Sequence, residues 1–192
     1  ARLERVHLVA CGTSWHASLV GKFMIEALTG LPTEVDYASE YRYRSPLIDD
    51  RVLVVGISQS GETADTLAAM ELAQTEGALL ATVCNSRGSS AWRLARSRML
   101  TQAGPEIGVA STKAFTTQLV ALAVMALALR SARGLFDELD VELITELQRL
   151  PVAVEKTLAL DEELYQEATE LLADAPNSLY LGRGILYPIA LE

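Results

Sequence analysis

Apolar positions in this chain come in short, nearly continuous blocks. Arg5-Val6-His7-Leu8-Val9-Ala10-Cys11 and Val52-Leu53-Val54-Val55-Gly56-Ile57 are two of them, the pattern of strands buried on both faces. Leu79 to Cys84 repeats it, and Thr33-Glu34-Val35-Asp36-Tyr37 and Met99-Leu100-Thr101 are shorter candidates. Between these blocks the spacing turns helical. One helix is predicted from Gly12-Thr13-Ser14 to about Thr29, stopped by Gly30 and Pro32. A helical turn follows at Ser39 to Arg44, then a helix over Ala64 to Gln74 and a short one around Trp92. Strands and helices alternating in this way predict a three-layer α/β domain: a doubly wound, five-stranded parallel sheet in the flavodoxin-like order 2-1-3-4-5.

Beyond the fifth strand the pattern changes. The loop from Gly104 to Lys113 opens a helix that runs to about Arg130 and is apolar nearly all round. Such a helix is buried on several sides, and a subunit interface is a natural cover. Lys113 reads as a surface residue in its first turn, although a ligand-facing role stays open. From Asp137 to Asp174, leucines at helical spacing among acidic residues predict two amphipathic helices, separated near Pro151 to Ala159. Ser178-Leu179-Tyr180-Leu181 is expected to be a strand, with Gly182-Arg183-Gly184 opening another helix. Cys11 to Leu19 and Arg183 to Leu191 place a glycine, an aromatic ring and a leucine at the same offsets, which suggests the start of an internal repeat. There is no initiator Met and the sequence stops inside a helix signal at Glu192, so the chain is expected to be a piece of a longer one.

The predicted order makes strands 1 and 3 neighbours whose connections leave on opposite faces. Ligands bind at such a switch point, outside the carboxyl ends of the strands. Two polar turns fall there: Thr13-Ser14 and Ser58-Gln59-Ser60-Gly61-Glu62-Thr63. The second joins a strand to a helix, whose N-terminal N–H groups and dipole attract anions. Ser58, Ser60 and Thr63 add rotatable donors, and no lysine or arginine lies in the turn. An anion there would be held by neutral donors. A plain helix cap at Ser60 would explain one hydroxyl and leave the other two unexplained.

Charge narrows the classes further. Of 192 residues half are hydrophobic, and the formal net charge is −9. Arg42/Arg44 and Arg93/Arg96/Arg98 are the densest basic groups and read as solvated surface, so no nucleic-acid face is expected. Cys11 and Cys84 end apolar runs and read as reduced thiols; two cysteines give no metal spacing. The longest apolar run, Leu119 to Leu129, spans 11 residues, too short for a bilayer. No signal peptide is visible, and a cytoplasmic location is the expectation. No cofactor and no metal is called for. His7 and His16 are read as structural.

The run Ser58 to Thr66 resembles the sugar-phosphate turn of SIS (sugar isomerase) domains. Ala10-Cys-Gly-Thr-Ser14, Ala38-Ser-Glu-Tyr-Arg-Tyr-Arg44 and Glu106 to Gln118 narrow the likeness, with Leu181-Gly-Arg-Gly184 and Tyr187 to Glu192. Together they resemble the isomerase half of the glutamine-dependent glucosamine-6-phosphate synthase family. The resemblance implies a first SIS domain over 1–134, a helical connector over 135–175 and the start of a second, truncated SIS repeat over 176–192. It implies that Ser58, Gln59, Ser60 and Thr63 bind the phosphate of fructose 6-phosphate or glucosamine 6-phosphate, while Thr13, Ser14, Val109 and Ser111 line the sugar. The chemistry implied is aldose–ketose isomerisation with ammonia entering at C2, which needs a base beside the sugar. Glu192 is the one carboxylate of this chain that matches. The family's other base, lysines and ring-opening histidine would lie past Glu192 or on a neighbouring subunit. The chain alone is therefore expected to bind without turning over, and Glu192 to fray at the terminus. The implied partners are a hexose 6-phosphate, a glutaminase domain, the second SIS domain and a second copy in a homodimer. Two other readings stay open: a stand-alone phosphosugar isomerase, which the Glu106 to Gln118 run fits poorly, and a sugar-phosphate-sensing regulatory module, for which no helix-turn-helix with a basic face is visible.

Overall fold

The computed structural model describes residues 3–107, 111–159 and 162–192. Five strands form one parallel sheet: β1 (Arg5–Ala10), β2 (Thr33–Tyr37), β3 (Val52–Ser58), β4 (Leu79–Cys84) and β5 (Ser97–Leu100). Their order is β2-β1-β3-β4-β5, as the spacing predicts. The register pairs Leu8 with both Val35 and Val55, and Val55 with Ala81, so the apolar centres of the strands lie side by side.

Alternate residues of each strand feed two cores. On one face Val6, Leu8, Ala10, Val55 and Ile57 pack with α1 (Thr13–Thr29) and α5 (Lys113–Ala132). On the other face Val9, Val52 and Val54 pack with α2 (Ala38–Tyr41), α3 (Ala64–Thr75) and α4 (Ser90–Leu94). Each fully buried Val or Leu there contributes about 1.5–3 kcal/mol relative to an exposed one. Gly56 sets how closely α3 approaches, because a Cβ there would meet Met70 Sδ at 2.2 Å.

Helix α5 is longer than the apolar run inside it. Its 20 residues are long and apolar enough to cross a membrane by length and composition, where the sequence reading judged the run too short. Here α5 packs into the core: Ala114, Gln118, Ala121, Leu122 and Met125 are buried on one face, and Arg130 Nη1 donates to the Leu28 carbonyl at 2.8 Å.

The chain divides into two compact units. One comprises residues 1–135 together with 182–192, and the other residues 136–181. The second holds α6 (Glu138–Leu158) and α7 (Glu162–Ala173). Helix α6 begins with a capping box, in which Asp137 Oδ1 accepts from Leu139 N–H at 3.0 Å and Asp140 Oδ2 accepts from Asp137 N–H at 2.8 Å. Two expectations fail in this unit. Pro151 lies inside α6 instead of ending it, since a proline forfeits one intrahelical bond and the other turns of an exposed helix hold. Ser178–Leu181 forms no strand: Leu179, Tyr180 and Leu181 are exposed and pair with no strand among the described residues. In the first unit the chain continues through a single 3-10 turn at Gly184–Leu186 into α8 (Tyr187–Leu191).

Candidate functional site

β1 and β3 end side by side, and the turns that follow them open onto one cleft of about 270 Å³. Thr13, Ser14, Ser58, Gln59, Ser60, Thr63 and Ser111 line it, as do Cys11, Ile57, Glu106 and Gln118. Seven of the nine residues put forward from the sequence thus meet in one place. Val109 lies outside the described residues. Glu192 is treated below.

The turn after β3 is held by its own hydroxyls. Ser58 Oγ accepts from Gly61 N–H at 3.0 Å and shares a proton with Thr63 Oγ1 at 2.8 Å. Ser60 Oγ accepts from Glu62 N–H at 3.1 Å. The residue at the cap position of α3 is Thr63, and it makes no side-chain cap bond. Ser60 therefore does not cap α3. The first intrahelical bond runs from Leu67 N–H to the Thr63 carbonyl at 3.0 Å, so the N–H groups of Ala64, Asp65 and Thr66 precede the bonded ladder. Glu62 points the other way: its Oε1 accepts from Ser90 N–H at 2.8 Å at the start of α4. That bond holds the Glu62 carboxyl below its usual range. The Gln59 carbonyl accepts from Asn85 N–H at 3.0 Å, which ties the turn to the end of β4.

The opposite wall comes from α1 and α5. Gln118 Nε2 donates to Ser14 Oγ at 2.9 Å across 104 residues of chain. Glu106 Oε2 accepts from Ala114 N–H at 2.9 Å and so satisfies a donor in the first turn of α5. Among the described residues no lysine or arginine lines the cleft, and Glu106 is the one charged side chain in its wall. An anion would rest on hydroxyls and backbone N–H groups.

Glu192 lies beside this cleft rather than in its wall. Thr13 Oγ1 donates to Glu192 Oε1 at 2.7 Å, and His16 Nδ1 lies 2.6 Å from Oε2. The two side chains are only 19% and 17% exposed. The carboxylate is anchored, contrary to the expected fraying, because α8 packs against α1. His16, read as structural, is its partner. Sequence reasoning also missed Glu106 and Gln118 as wall residues, although both end the Glu106 to Gln118 motif. A glutamine four residues after Ala114, on the same helical face as Leu122, was the available signal.

A doubly wound parallel sheet with a hydroxyl-lined cleft at its switch point is the architecture of an α/β domain that binds small ligands. The chain belongs to the SIS domain family, whose description matches residues 1–128. It is 49% identical over 190 residues to the glutamine–fructose-6-phosphate aminotransferase (isomerizing) of Bacteroides thetaiotaomicron, covering 98% of this chain and 31% of that one. The enzyme of the same name from Pseudomonas aeruginosa is 48% identical, covering 100% of this chain and 32% of its own. Among solved structures, the C-terminal domain of glucosamine-fructose-6-phosphate aminotransferase from Francisella tularensis superposes with a TM-score of 0.92 at 40% identity, covering 98% of this chain and 53% of that one. The chain thus spans about a third of the length of the curated relatives it matches.

Proposed function

We propose that the cleft binds a hexose 6-phosphate, and that the chain is the first sugar-phosphate domain of a glutamine–fructose-6-phosphate aminotransferase. The observation that carries this reading is the cluster Ser58, Ser60 and Thr63 at the start of α3, facing Thr13 and Ser14 across one cleft. Three hydroxyls with the free N–H groups of a helix start suit a phosphate held by neutral donors. The Thr13–Ser14 turn is left for the sugar, with Ser111 in the same cleft wall; Val109 is proposed for the sugar on the sequence resemblance alone. Relatives near 48% identity bearing the aminotransferase name supply the reaction class. In that reaction ammonia condenses with the C2 carbonyl of fructose 6-phosphate, the oxygen leaving as water, and a proton then moves from C1 to C2.

Glu192 is the proposed carboxylate for proton transfer in this chain. Thr13 and His16 each engage one of its oxygens, and each oxygen keeps a second lone pair. A fixed carboxylate is a more effective base than a mobile one. The glutaminase domain, the second SIS domain and a homodimeric partner belong to the same proposal. A cytoplasmic setting does too, and the free thiols Cys11 and Cys84 suit it.

Calorimetric titration with glucosamine 6-phosphate tests the site. Ser60→Ala and Thr63→Val each remove a hydrogen bond to a charged group, which costs about 1.5–3 kcal/mol of binding. Equal affinity in the parent chain and both variants would remove the phosphate assignment.

A further inference from the structure

Gln118 sits in the second turn of the apolar helix α5 and is 1% exposed. Its Nε2 donates to Ser14 Oγ, and its Oε1 has no hydrogen-bond partner among the described residues. An unpartnered amide oxygen in a core is costly, and a leucine at this position would avoid that cost. The compensating gain is sought at Ser14, which is 7% exposed and opens onto the cleft.

A serine hydroxyl has one proton and two lone pairs. The Gln118 amide occupies a lone pair, so the proton of Ser14 remains to be given. A helical serine often gives it to the carbonyl four residues earlier. Ser18 does this, donating to the Ser14 carbonyl at 2.7 Å. Ser14 is the second residue of α1, so no helical carbonyl precedes it at that spacing. Its proton is therefore available to a ligand in the cleft, which Ser14 lines.

We infer that Gln118 is a positioning residue that fixes the Ser14 hydroxyl as a donor, so that the ligand group facing Ser14 is an acceptor oxygen of the sugar. This rests on the hexose 6-phosphate reading above. An amide turned the other way would take the Ser14 proton for itself, and the two orientations predict opposite behaviour in variants.

The test is titration of the 192-residue chain with glucosamine 6-phosphate, with thermal melting to establish that each variant is folded. Gln118→Glu keeps the shape but, once its carboxyl ionises, can only accept. It takes the Ser14 proton, and affinity relative to the parent chain falls about tenfold as pH rises from 5 to 9. Gln118→Leu leaves Ser14 a free rotor and loses about threefold at every pH. In a Ser14→Ala background the Gln118→Leu change has no further effect, and this cycle decides the matter if Gln118→Glu does not fold. Gln118→Glu binding like the parent across the whole pH range, or additive losses in the Ser14→Ala, Gln118→Leu pair, would overturn the inference alone. A parent chain that does not bind glucosamine 6-phosphate overturns the underlying function and this inference with it.

Discussion

The hydroxyl of Ser58 holds its turn from inside, accepting from Gly61 N–H while facing Thr63 Oγ1, and the loop can then present Ser60 and Thr63 outward. That geometry demands glycine at position 61. Its φ is +68°, and a Cβ there would lie 2.1 Å from Ser89 Oγ. Gly61→Ala is predicted to lower stability by about 1–3 kcal/mol, through left-handed strain and displacement of Ser89. Chemical denaturation measures it, and an unchanged midpoint would show that the turn relaxes freely. Residue types at this turn were legible because strand, glycine and hydroxyls lie within a few positions of one another. The roles of Gln118 and His16 were not, because their partners, Ser14 and Glu192, are 104 and 176 residues away.

At the scale of elements, β1, β3 and β4 announce themselves as continuous apolar runs, and the sheet order follows from alternation with helices. Where the reading failed, local signals had no tertiary support. Ser178–Leu181 has strand composition but no strand to pair with among the described residues, and Pro151 is a helix breaker that the rest of α6 overrides. The edge strand β2 and its neighbour β1 carry a testable polar contact. His7 Nδ1 lies 2.8 Å from Tyr41 Oη, with Glu34 3.9 Å from its Nε2. Burial pushes the His7 pKa below its usual value, against the opposing pull of Glu34 and Asp36 and with a contribution from Arg44. The unfolded chain therefore binds a proton below about pH 6.5 that the folded one refuses, until the pH reaches the lowered value. Stability from this group falls as pH drops through that window. His7→Asn, which retains a partner for Tyr41, is predicted to flatten the loss of melting temperature between pH 6.5 and 5. An identical slope in both proteins would assign that acid sensitivity elsewhere.

For the whole molecule, the fold places two strand-to-helix turns at one switch point, and sequence distance becomes spatial contact there. Thr13 and Ser58 share a cleft because β1 and β3 are neighbours, and Glu192 joins Thr13 because α8 packs on α1. The family match over residues 1–128 covers the sheet and most of α5, while Glu192 comes from past that segment. The central claim is that the cleft recognises a sugar through its phosphate, using neutral donors at the start of α3. Paired calorimetric titrations with glucosamine 6-phosphate and with glucosamine test it most directly. The account predicts saturable binding of the phosphate ester and at least about a hundredfold weaker binding of the free sugar, since several hydrogen bonds to a charged group are lost together. Equal affinity for the two compounds would contradict it.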